Sequence, residues 1–501
     1  MIIYEGKQTM AKLSRRSFFK FMTATAGATV IAQGAKSEKV VAEKKILREK
    51  NHKQTRVVVV GGGMGGLTVA ESIKDNDPEN KIEVIVLERN AHYFTCPMSN
   101  TLFGEIEEVK KENIPFKYDY TLAEKNHNID VIITEVIGAD VKKKTVTTTS
   151  GVIAYDYVVV APGIDYNYKK LFAHWDEAKV RRAMKETPAA MYSDSGKEKY
   201  NLLNQLHTWR DQGGKGNFVI VPPKGGKVRC KPASYERACM VSEFIKKYKL
   251  PGKVCLLDNS PKPQSKGPKF IEVFIKYHKD TILFNGMSGD EMLKRIKAAG
   301  FTMENFKKKE NFSKLEDTFA TCDVKDVDFD KKEIAYLYAD NFDDEGKEQK
   351  IDYAIANVIP YHRGNETATF FDVKRDGWGG IVCAPAKTYS VTDSTLYTAG
   401  DIMGYHKFNP SAQTSVSVGL LTGESIAKRI LTGKDEIDLT KAGITCFSMV
   451  VAHPLKAIEI SKDVMVTDKG VAKAANSKLA FRDGSGLIGW FQAIVETPFK
   501  Y

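Results

Sequence analysis

The sequence has 501 residues, of which 42% are hydrophobic, and its 75 Lys and Arg against 63 Asp and Glu give a net charge of +12. This length exceeds a single hydrophobic core and predicts two or three domains. No apolar run reaches the roughly 18 residues that a spanning helix needs, so we expect none in the mature protein. The basic residues are spread along the chain without a helix-turn-helix or RNA-binding pattern. We therefore expect no nucleic-acid partner, and a charged surface suited to steering an acidic protein.

Residues 1–40 are predicted to be an export leader. The stretch SRRSFFK at residues 14–20 matches the twin-arginine pattern, and a weakly apolar Ala/Thr-rich segment follows at residues 21–32. This export pathway carries folded proteins, so a cofactor can be inserted before export. The pattern predicts a periplasmic mature protein, in a compartment where disulfides persist. A chance Arg pair before a buried helix is the alternative interpretation.

An ADP-binding βαβ unit is predicted next. The apolar run at residues 57–60 is typical of a strand buried on both faces, and a G-x-G-x-x-G loop and a helix at residues 67–73 follow it. A second strand at residues 82–87 ends in an acid about 20 residues past the glycines, where a ribose hydroxyl is held. A glycine-rich surface turn would not explain that acid. The residues assigned to the cofactor here are Gly61, Gly63, Gly66, Glu88 and Arg89.

Three later segments are predicted to return to this first domain. Strands at residues 131–137, 141–149 and 151–160 lead into an A-P-G turn, the way flavoproteins with two dinucleotide-binding domains re-enter their first sheet. The buried run at residues 354–359 is interpreted as another return strand. A strand at residues 395–399 ends in G-D, whose aspartate holds the flavin ribityl chain or pyrophosphate in such proteins, and a helix at residues 411–431 follows. The assigned cofactor residues are Ala161, Gly163, Gly400 and Asp401.

A second dinucleotide-type domain is predicted between the two parts of the first. A strand at residues 218–221, a helix at residues 235–248 and a strand ending in Asp258 form a βαβ pattern. Its connecting loop, PPKGGKVRCKP at residues 222–232, lacks the glycine fingerprint, and prolines lack the N–H donors that a pyrophosphate needs. The loop argues against NAD(P)H as electron donor. It places Cys230 where a nicotinamide loop would lie.

The predicted architecture is therefore α/β, with two Rossmann-like domains and a C-terminal α+β segment. Residues 55–168 and 350–430 form the FAD-binding domain, residues 169–349 the NAD-like domain, and residues 431–501 the C-terminal segment. The seven cysteines form no C-x-x-C or C-x-x-C-H pattern, and the nine histidines form no H-E-x-x-H. We expect no metal site and no c-type haem in this chain.

Four stretches carry a resemblance to a known family. They are YFTCPMSN at residues 93–100, VVAPGID at residues 159–165, RCKPASYERA at residues 229–238 and KTY at residues 387–389 leading to G-D. With them the chain resembles the flavoprotein subunits of flavocytochrome c sulfide dehydrogenase, relatives of the sulfide:quinone oxidoreductases among the disulfide-reductase flavoproteins. The resemblance runs from about residue 56 to residue 430, and more weakly to the C-terminus.

The resemblance implies roles for four residues. Cys96 would carry a thioether to the 8α-methyl group of FAD, and Glu236 would be an acid/base group. Cys230 would form a redox-active disulfide with a cysteine that the family places directly after Gly-Trp. Here four residues separate Trp378 from the next cysteine, Cys383. Cys383 is the expected partner, and a buried structural cysteine is the alternative.

The implied function is sulfide oxidation. Hydrosulfide would open the disulfide, two electrons would pass to FAD, and a c-type cytochrome subunit would accept them. Three alternatives stay open: a quinone-linked sulfide oxidoreductase, a non-catalytic flavin-binding accessory protein of sulfur metabolism, and an NADH-linked reductase, which the Pro222-Pro223 loop disfavours. The quinone alternative includes a peripheral membrane contact through an apolar stripe that could equally pack on the protein: Leu487, Ile488, Trp490, Phe491, Ile494 and Val495.

Overall fold

A five-stranded parallel sheet forms the centre of the first domain in the computed structural model, which describes residues 45–315, 318–340 and 346–500. Its valine-rich central strand is buried on both faces, as the unbroken apolar run predicts. The predicted leader lies outside the described residues. In sheet order the strands are Leu396–Thr398, Tyr157–Val160, Thr55–Val60, Ile82–Glu88 and Asp130–Ile133.

The second domain contains a four-stranded parallel sheet, and one of its strands corrects the sequence interpretation. Residues 354–359 were expected to return to the first domain, but Ile355–Val358 pairs in parallel with Asn217–Val221. An apolar run buried on both faces fits either sheet, so its pattern alone could not assign it. The chain returns afterwards, where Tyr361–Gly364 pairs antiparallel with Ile164–Asn167. In sheet order the strands are Ile282–Phe284, Lys253–Leu256, Asn217–Val221 and Ile355–Val358.

Smaller sheets surround these two, and all are antiparallel except the pair Ile381–Val382 with Met403–Gly404. The predicted strands at residues 131–137 and 151–160 are each divided in two, because a turn moves the chain from the parallel sheet to a small three-stranded one. The members of the two outer three-stranded sheets are Val136–Asp140, Thr145–Thr148 and Gly151–Ala154, and Thr321–Asp328, Glu333–Ala339 and Lys347–Asp352. The remaining two-stranded pairs are Tyr93–Phe94 with Lys117–Tyr118 and Ile381–Val382 with Met403–Gly404.

Helices cover the faces of both parallel sheets. The helix after the glycine loop is Met64–Asp75, and it packs along the long helix Ala412–Thr432. In the second domain Ala233–Tyr248 and Gly267–Tyr277 flank the sheet. The other α-helices are Thr101–Gly104, Glu107–Lys111, Thr121–His127, Tyr168–Leu171, Glu177–Glu186, Lys197–Asp211, Gly289–Ala298 and Lys309–Lys314.

The C-terminal segment is a three-stranded antiparallel meander followed by a helix, as the α+β prediction describes. The strands are Ile444–Val451, Lys456–Val466 and Ala472–Asp483, and the terminal helix is Gly484–Lys500. None of the helices in the described ranges is long and apolar enough to cross a membrane.

The apolar stripe of the terminal helix faces the protein. Leu487, Phe491 and Val495 are each at most 1% exposed. Phe499 stacks on Tyr93 with ring centroids 4.8 Å apart. The stripe therefore packs on the first domain, and it gives no support to the membrane contact that its periodicity left open. Periodicity shows that one face of a helix is apolar and does not show what that face meets.

Glu71 on the helix Met64–Asp75 is a buried acid. Its side chain is 2% exposed, neither carboxyl oxygen has a hydrogen-bond partner among the described residues, and Oε1 lies 4.0 Å from His127 Nε2. Burial, with a smaller contribution from Asp75, raises the pKa of Glu71 to about 10. The folded protein thus holds a proton that the unfolded chain releases above about pH 4.3, so stability contributed by Glu71 falls as the pH rises toward 10.

We therefore expect Glu71→Gln to stabilise the protein by up to about 5 kcal/mol at pH 8 and by almost nothing near pH 4.5. Unfolding by heat or denaturant at the two pH values measures the difference. The exposed Glu79, which pairs with Lys81, supplies the control Glu79→Gln, for which no such pH dependence is expected. An equal gain from Glu71→Gln at both pH values would contradict the buried, protonated carboxyl.

Candidate functional site

A cavity of about 300 Å³ lies where the carboxyl ends of the strands of the five-stranded sheet meet the helix Ala233–Tyr248 and the C-terminal meander. Every residue assigned to the cofactor from the sequence lines it except Gly66. Cys230 and Glu236 also line it, and Cys383 does not. The predicted residues that it brings together are Gly61, Gly63, Glu88, Arg89, Cys96, Ala161, Gly163, Cys230, Glu236, Gly400 and Asp401.

The glycine loop has no room for side chains at two of its positions. At Gly61, where φ is +102°, a Cβ would lie 2.5 Å from the backbone oxygen of Ala161. At Gly66 a Cβ would lie 2.0 Å from the oxygen of Gly61, so Gly66 permits close packing and does not line the cavity. Gly63, in contrast, has only a ring atom of Tyr93 within 4 Å. The loop therefore leaves its cavity side open at the start of a helix that has no side-chain cap.

Glu88 lies at the end of the second strand, beside this loop. Its carboxylate accepts hydrogen bonds from the backbone N–H of Gly62 and of Asn90, each at 2.8 Å. These bonds fix the carboxylate at the cavity wall. The uncapped helix N-terminus suits a phosphate, and the fixed acid suits ribose hydroxyls. The two together fit the adenosine diphosphate part of a dinucleotide.

The cavity lining also includes a half-buried acid, Asp401, and a half-buried cation, Arg229. Burial raises the pKa of Asp401, and the nearby Arg229 opposes that rise. The guanidinium of Arg229 stacks on Trp378 with its carbon 3.5 Å from the ring centroid, and it donates a hydrogen bond to the backbone oxygen of Asp401. These two contacts fix Arg229, which directly precedes Cys230, against the first domain.

Three cysteines line the cavity together: Cys96, Cys230 and Cys446. The hydrogen bond between the thiols of Cys96 and Cys230 lowers the pKa of Cys96 and raises that of Cys230. Burial raises the pKa of Cys446, and Lys266 opposes that rise. All three thiols are free. Their convergence is chemically notable because neighbouring thiols in one cavity can exchange disulfides.

Cys383 lies elsewhere, which corrects the predicted pairing with Cys230. Its side chain is fully buried in an apolar cluster with Met403 and Val418, and it does not line the cavity. The residues inserted before it form the strand Ile381–Val382, which pairs with Met403–Gly404 and directs the thiol into this core. These surroundings fit the alternative prediction for Cys383, a buried structural cysteine.

Cys446 is the cysteine that sequence reasoning missed. It lies in the strand Ile444–Val451, more than 200 residues after Cys230, in a segment without an assigned role. The only available sign was indirect: the displacement of Cys383 from its expected place after Trp378. The contact between Cys446 and the cavity depends on how the meander packs, which no local pattern reveals.

Glu236 connects the segments that carry these cysteines. Its carboxylate accepts a hydrogen bond from Asn100 Nδ2 at 3.2 Å and another from the backbone N–H of Met449 at 3.0 Å. Burial raises the pKa of Glu236, with Lys266 as the largest opposing influence. Asn100 follows Cys96 by four residues, and Met449 follows Cys446 by three. A proton on this carboxyl would therefore lie among the three thiols.

Arg237 is a second residue that sequence reasoning missed. It is 1% exposed, and its guanidinium donates to Asn100 Oδ1, to Asn357 Oδ1 and to the backbone oxygens of Ala189 and Ala190. It joins the cysteine-bearing walls to the second domain. We interpret it as a positioning residue.

In the second domain, the acid expected at a nicotinamide site is engaged by the protein itself. Asp258, at the position that holds a ribose in such domains, is fully buried. It accepts hydrogen bonds from Tyr235 Oη at 2.6 Å and from Gln264 Nε2 at 3.2 Å. Burial raises the pKa of Asp258 to about 6. This acid is therefore engaged by the protein, in agreement with the Pro222-Pro223 loop before it.

The chain matches two family models. Residues 55–174 match the pyridine nucleotide-disulphide oxidoreductase model, and residues 200–318 match the central-domain model of the flavoprotein chain of sulfide dehydrogenase [flavocytochrome c]. Among curated proteins, a 47-residue segment is 45% identical to the sulfide dehydrogenase [flavocytochrome c] flavoprotein chain of Chlorobaculum thiosulfatiphilum. That segment covers 9% of this chain and 94% of the relative.

Two longer relatives come from Dictyostelium discoideum. Pyridine nucleotide-disulfide oxidoreductase domain-containing protein 1 is 32% identical over 23% of this chain, and mitochondrial sulfide:quinone oxidoreductase is 27% identical over 41% of it. The matched segments cover 20% and 42% of those two relatives, respectively.

Solved structures with similar folds include two oxidoreductases. The sulfide:quinone oxidoreductase of Aquifex aeolicus superimposes with a TM-score of 0.61 at 15% identity, over 89% of this chain and 91% of that one. A ferredoxin reductase of Rhodopseudomonas palustris gives a TM-score of 0.56 at 12% identity, over 88% and 95%. These likenesses confirm the predicted α/β fold with two dinucleotide-binding domains.

Proposed function

The chain belongs to the sulfide-oxidising flavoproteins of the flavocytochrome c sulfide dehydrogenase family, within the FAD-dependent disulfide-reductase superfamily, and from this membership we propose that it oxidises sulfide with Cys230 and Cys446 as its redox pair. The observation that carries the proposal is the convergence of Cys96, Cys230 and Cys446 on one cavity beside a dinucleotide cradle. Cys96 is proposed to tether FAD, which leaves Cys230 and Cys446 to form the disulfide.

The residues of the cavity fit FAD. Gly61, Gly63 and the helix that follows would hold the pyrophosphate, Glu88 the adenosine ribose, and Asp401 the ribityl chain. Bound FAD supplies the oxidant, since it takes electrons in pairs and releases them singly to a one-electron acceptor. The hydrogen bond from Cys230 favours the thiolate of Cys96 and supports its role as nucleophile in a thioether tether.

The sulfur chemistry is then a pair of exchanges at the cysteines. Hydrosulfide attacks one sulfur of the Cys230–Cys446 disulfide, so that the S–S bond between the cysteines breaks, a persulfide forms and a thiolate leaves. A second hydrosulfide removes the outer sulfur of the persulfide as polysulfide and leaves both cysteines reduced. Glu236 takes up and returns the thiol proton, a role supported by its hydrogen bonds with Asn100 and the N–H of Met449 beside the thiols.

A c-type cytochrome is the proposed acceptor. The match to flavoprotein chains of flavocytochrome c and the net charge of +12, which suits an acidic partner, support it. The quinone alternative loses the exposed apolar stripe on which it depended, because that stripe is buried. The twin-arginine pattern at residues 14–20 supports a periplasmic location for the reaction.

We expect sulfide to bleach the flavin absorbance of the purified protein within seconds under anaerobic conditions, and NADH to leave it unchanged. The reason is that the cavity presents thiols, while Asp258 is engaged by Tyr235 and the prolines of the Pro222-Pro223 loop lack the N–H donors that a pyrophosphate needs. Stopped-flow absorbance with each reductant makes the comparison. Rapid bleaching by NADH would favour an NADH-linked reductase, and no bleaching by sulfide would favour a non-catalytic accessory protein.

The acceptor is tested on the sulfide-reduced protein. We expect mixing with a c-type cytochrome to restore the flavin absorbance faster than mixing with a short-chain quinone. A haem protein that co-purifies with the chain would support the same assignment. Faster reoxidation by the quinone would overturn it.

A further inference from the structure

Lys266 is a buried cation whose contacts all lie around Cys446. Lys266 is 5% exposed and lies directly before the helix Gly267–Tyr277 with φ at +55°, a left-handed conformation that a non-glycine residue adopts at some cost. Its Nζ donates to the backbone oxygen of Cys446 at 2.9 Å, to Ser448 Oγ at 2.9 Å and to the backbone oxygen of Ile458 at 3.1 Å. The fourth contact is Cys446 Sγ at 3.5 Å.

No carboxylate of the described residues lies within ion-pair distance of this ammonium. Glu236 is a nearby acid, and Lys266 acts on it through its charge without a direct contact. The other partners of Nζ are neutral oxygens. In a buried site an ammonium strongly favours a negative charge on the atom beside it. The atom beside it that can gain a charge is the sulfur of Cys446.

Cys230 has different surroundings. With Cys96 bound to FAD as proposed, the influences that remain on the Cys230 thiol are burial and the nearby Cys446 and Glu236, which all raise its pKa. Lys266 contacts no atom of Cys230 at hydrogen-bond distance. The two sulfurs of the proposed disulfide are therefore unequal: the Lys266 ammonium contacts Cys446 Sγ directly, while the buried Arg237 guanidinium acts on Cys230 only through its charge.

We propose that Lys266 sets the direction in which the disulfide opens, so that hydrosulfide attacks Cys230 Sγ and Cys446 leaves as a thiolate beside the Lys266 ammonium. The S–S bond between the cysteines breaks, a new S–S bond forms between hydrosulfide and Cys230, and the electron pair of the broken bond stays on Cys446. The persulfide is thus carried by Cys230. The inference rests on the proposed function, and Lys266 acts as a positioning residue through Cys446.

This direction follows from leaving-group chemistry. In thiol–disulfide exchange the better leaving group is the sulfur with the more stable thiolate, and the nucleophile attacks the other sulfur. Loss of the ammonium would remove that preference and slow the opening. Arginine at the same position would keep the charge and restore part of the effect.

The first test measures the acidity of Cys446 in the flavin-loaded full chain carrying Cys230→Ser, by the pH dependence of iodoacetamide labelling of its peptide. We expect Lys266→Met to move the midpoint upward by about one pH unit or more, which is about tenfold slower labelling at a fixed pH below it. Lys266→Arg should recover part of the shift. Lys269→Met is the matched control, because Lys269 lies in the first turn of the helix that Lys266 precedes, and it contacts Glu272 and Phe481. An unchanged midpoint in Lys266→Met would overturn the proposal.

The second test needs no variant. The oxidised wild-type protein is mixed with one equivalent of sulfide, quenched with an alkylating reagent and digested. The masses of the peptides that contain Cys230 and Cys446 are then measured by mass spectrometry. We expect the extra sulfur on Cys230 and a simple alkylated thiol on Cys446. Extra sulfur on Cys446 would overturn the assigned direction and leave the proposed function intact. Failure of sulfide to open any disulfide would instead contradict the proposed function itself.

Discussion

Replacement of Cys446 by serine is expected to lower the rate of sulfide-dependent flavin bleaching by about 10³-fold or more, while replacement of Cys383 by serine leaves it within about twofold. Serine keeps the size of the side chain and cannot form a disulfide, so Cys446→Ser removes the proposed pair. Cys383→Ser changes a thiol in a separate apolar cluster. Stopped-flow absorbance with sulfide measures both rates on protein with a normal flavin content.

The same experiment on Cys230→Ser should match the result for Cys446→Ser, because either change leaves an unpaired thiol. Flavin content and thermal unfolding of each variant separate a loss of chemistry from a loss of folding. An inactive Cys383→Ser variant beside an active Cys446→Ser variant would restore the pairing that the sequence suggested. Activity in Cys230→Ser would place the catalytic thiol elsewhere.

A change of Cys96 to alanine is expected to convert a flavin that stays with the denatured protein into one that is released. Wild-type protein precipitated with acid should keep essentially all of its yellow colour in the pellet. The Cys96→Ala pellet should be colourless, with the flavin in the supernatant. The glycine loop and Glu88 do not depend on Cys96, so the variant should still purify with bound flavin.

The control for this experiment is Cys239→Ala. Cys239 is fully buried in the helix Ala233–Tyr248 and is not part of the cavity lining. Its pellet should remain yellow. Colour in the supernatant of wild-type protein would show that the flavin is held without a covalent bond and would remove the role of Cys96 as the tether.

The nucleotide cradle could be predicted from the sequence because its parts are local. Gly61, Gly63 and Glu88 belong to one strand–loop–helix–strand segment, and the backbone requirements of a phosphate-binding turn act within a few residues. The structure gives each of them the neighbours that these requirements imply. The long helix Ala412–Thr432 was similarly predictable to within a residue at each end, since Ser411 caps its start and Gly433 its end.

The approach of Cys446 to Cys230, which underlies the proposed redox pair, could not be predicted in the same way. The packing that brings Cys446 to Cys230 joins a meander strand to a loop far away in sequence, and it is held by buried polar contacts such as that of Glu236 with the N–H of Met449. A contact of this kind has no periodicity and no fixed spacing. The strand Ile355–Val358 illustrates the same limit, because an apolar run records burial and not the identity of the neighbouring strand.

The central claim, that Cys230 and Cys446 form the redox disulfide, is tested most directly by peptide mapping of the oxidised, flavin-loaded protein without reducing agent. We predict one disulfide-linked pair of peptides, which contains Cys230 and Cys446, and a free thiol at Cys383. Addition of sulfide should remove the cross-link. A cross-link between Cys230 and Cys383, or free thiols at both Cys230 and Cys446 in protein that still oxidises sulfide, would contradict it.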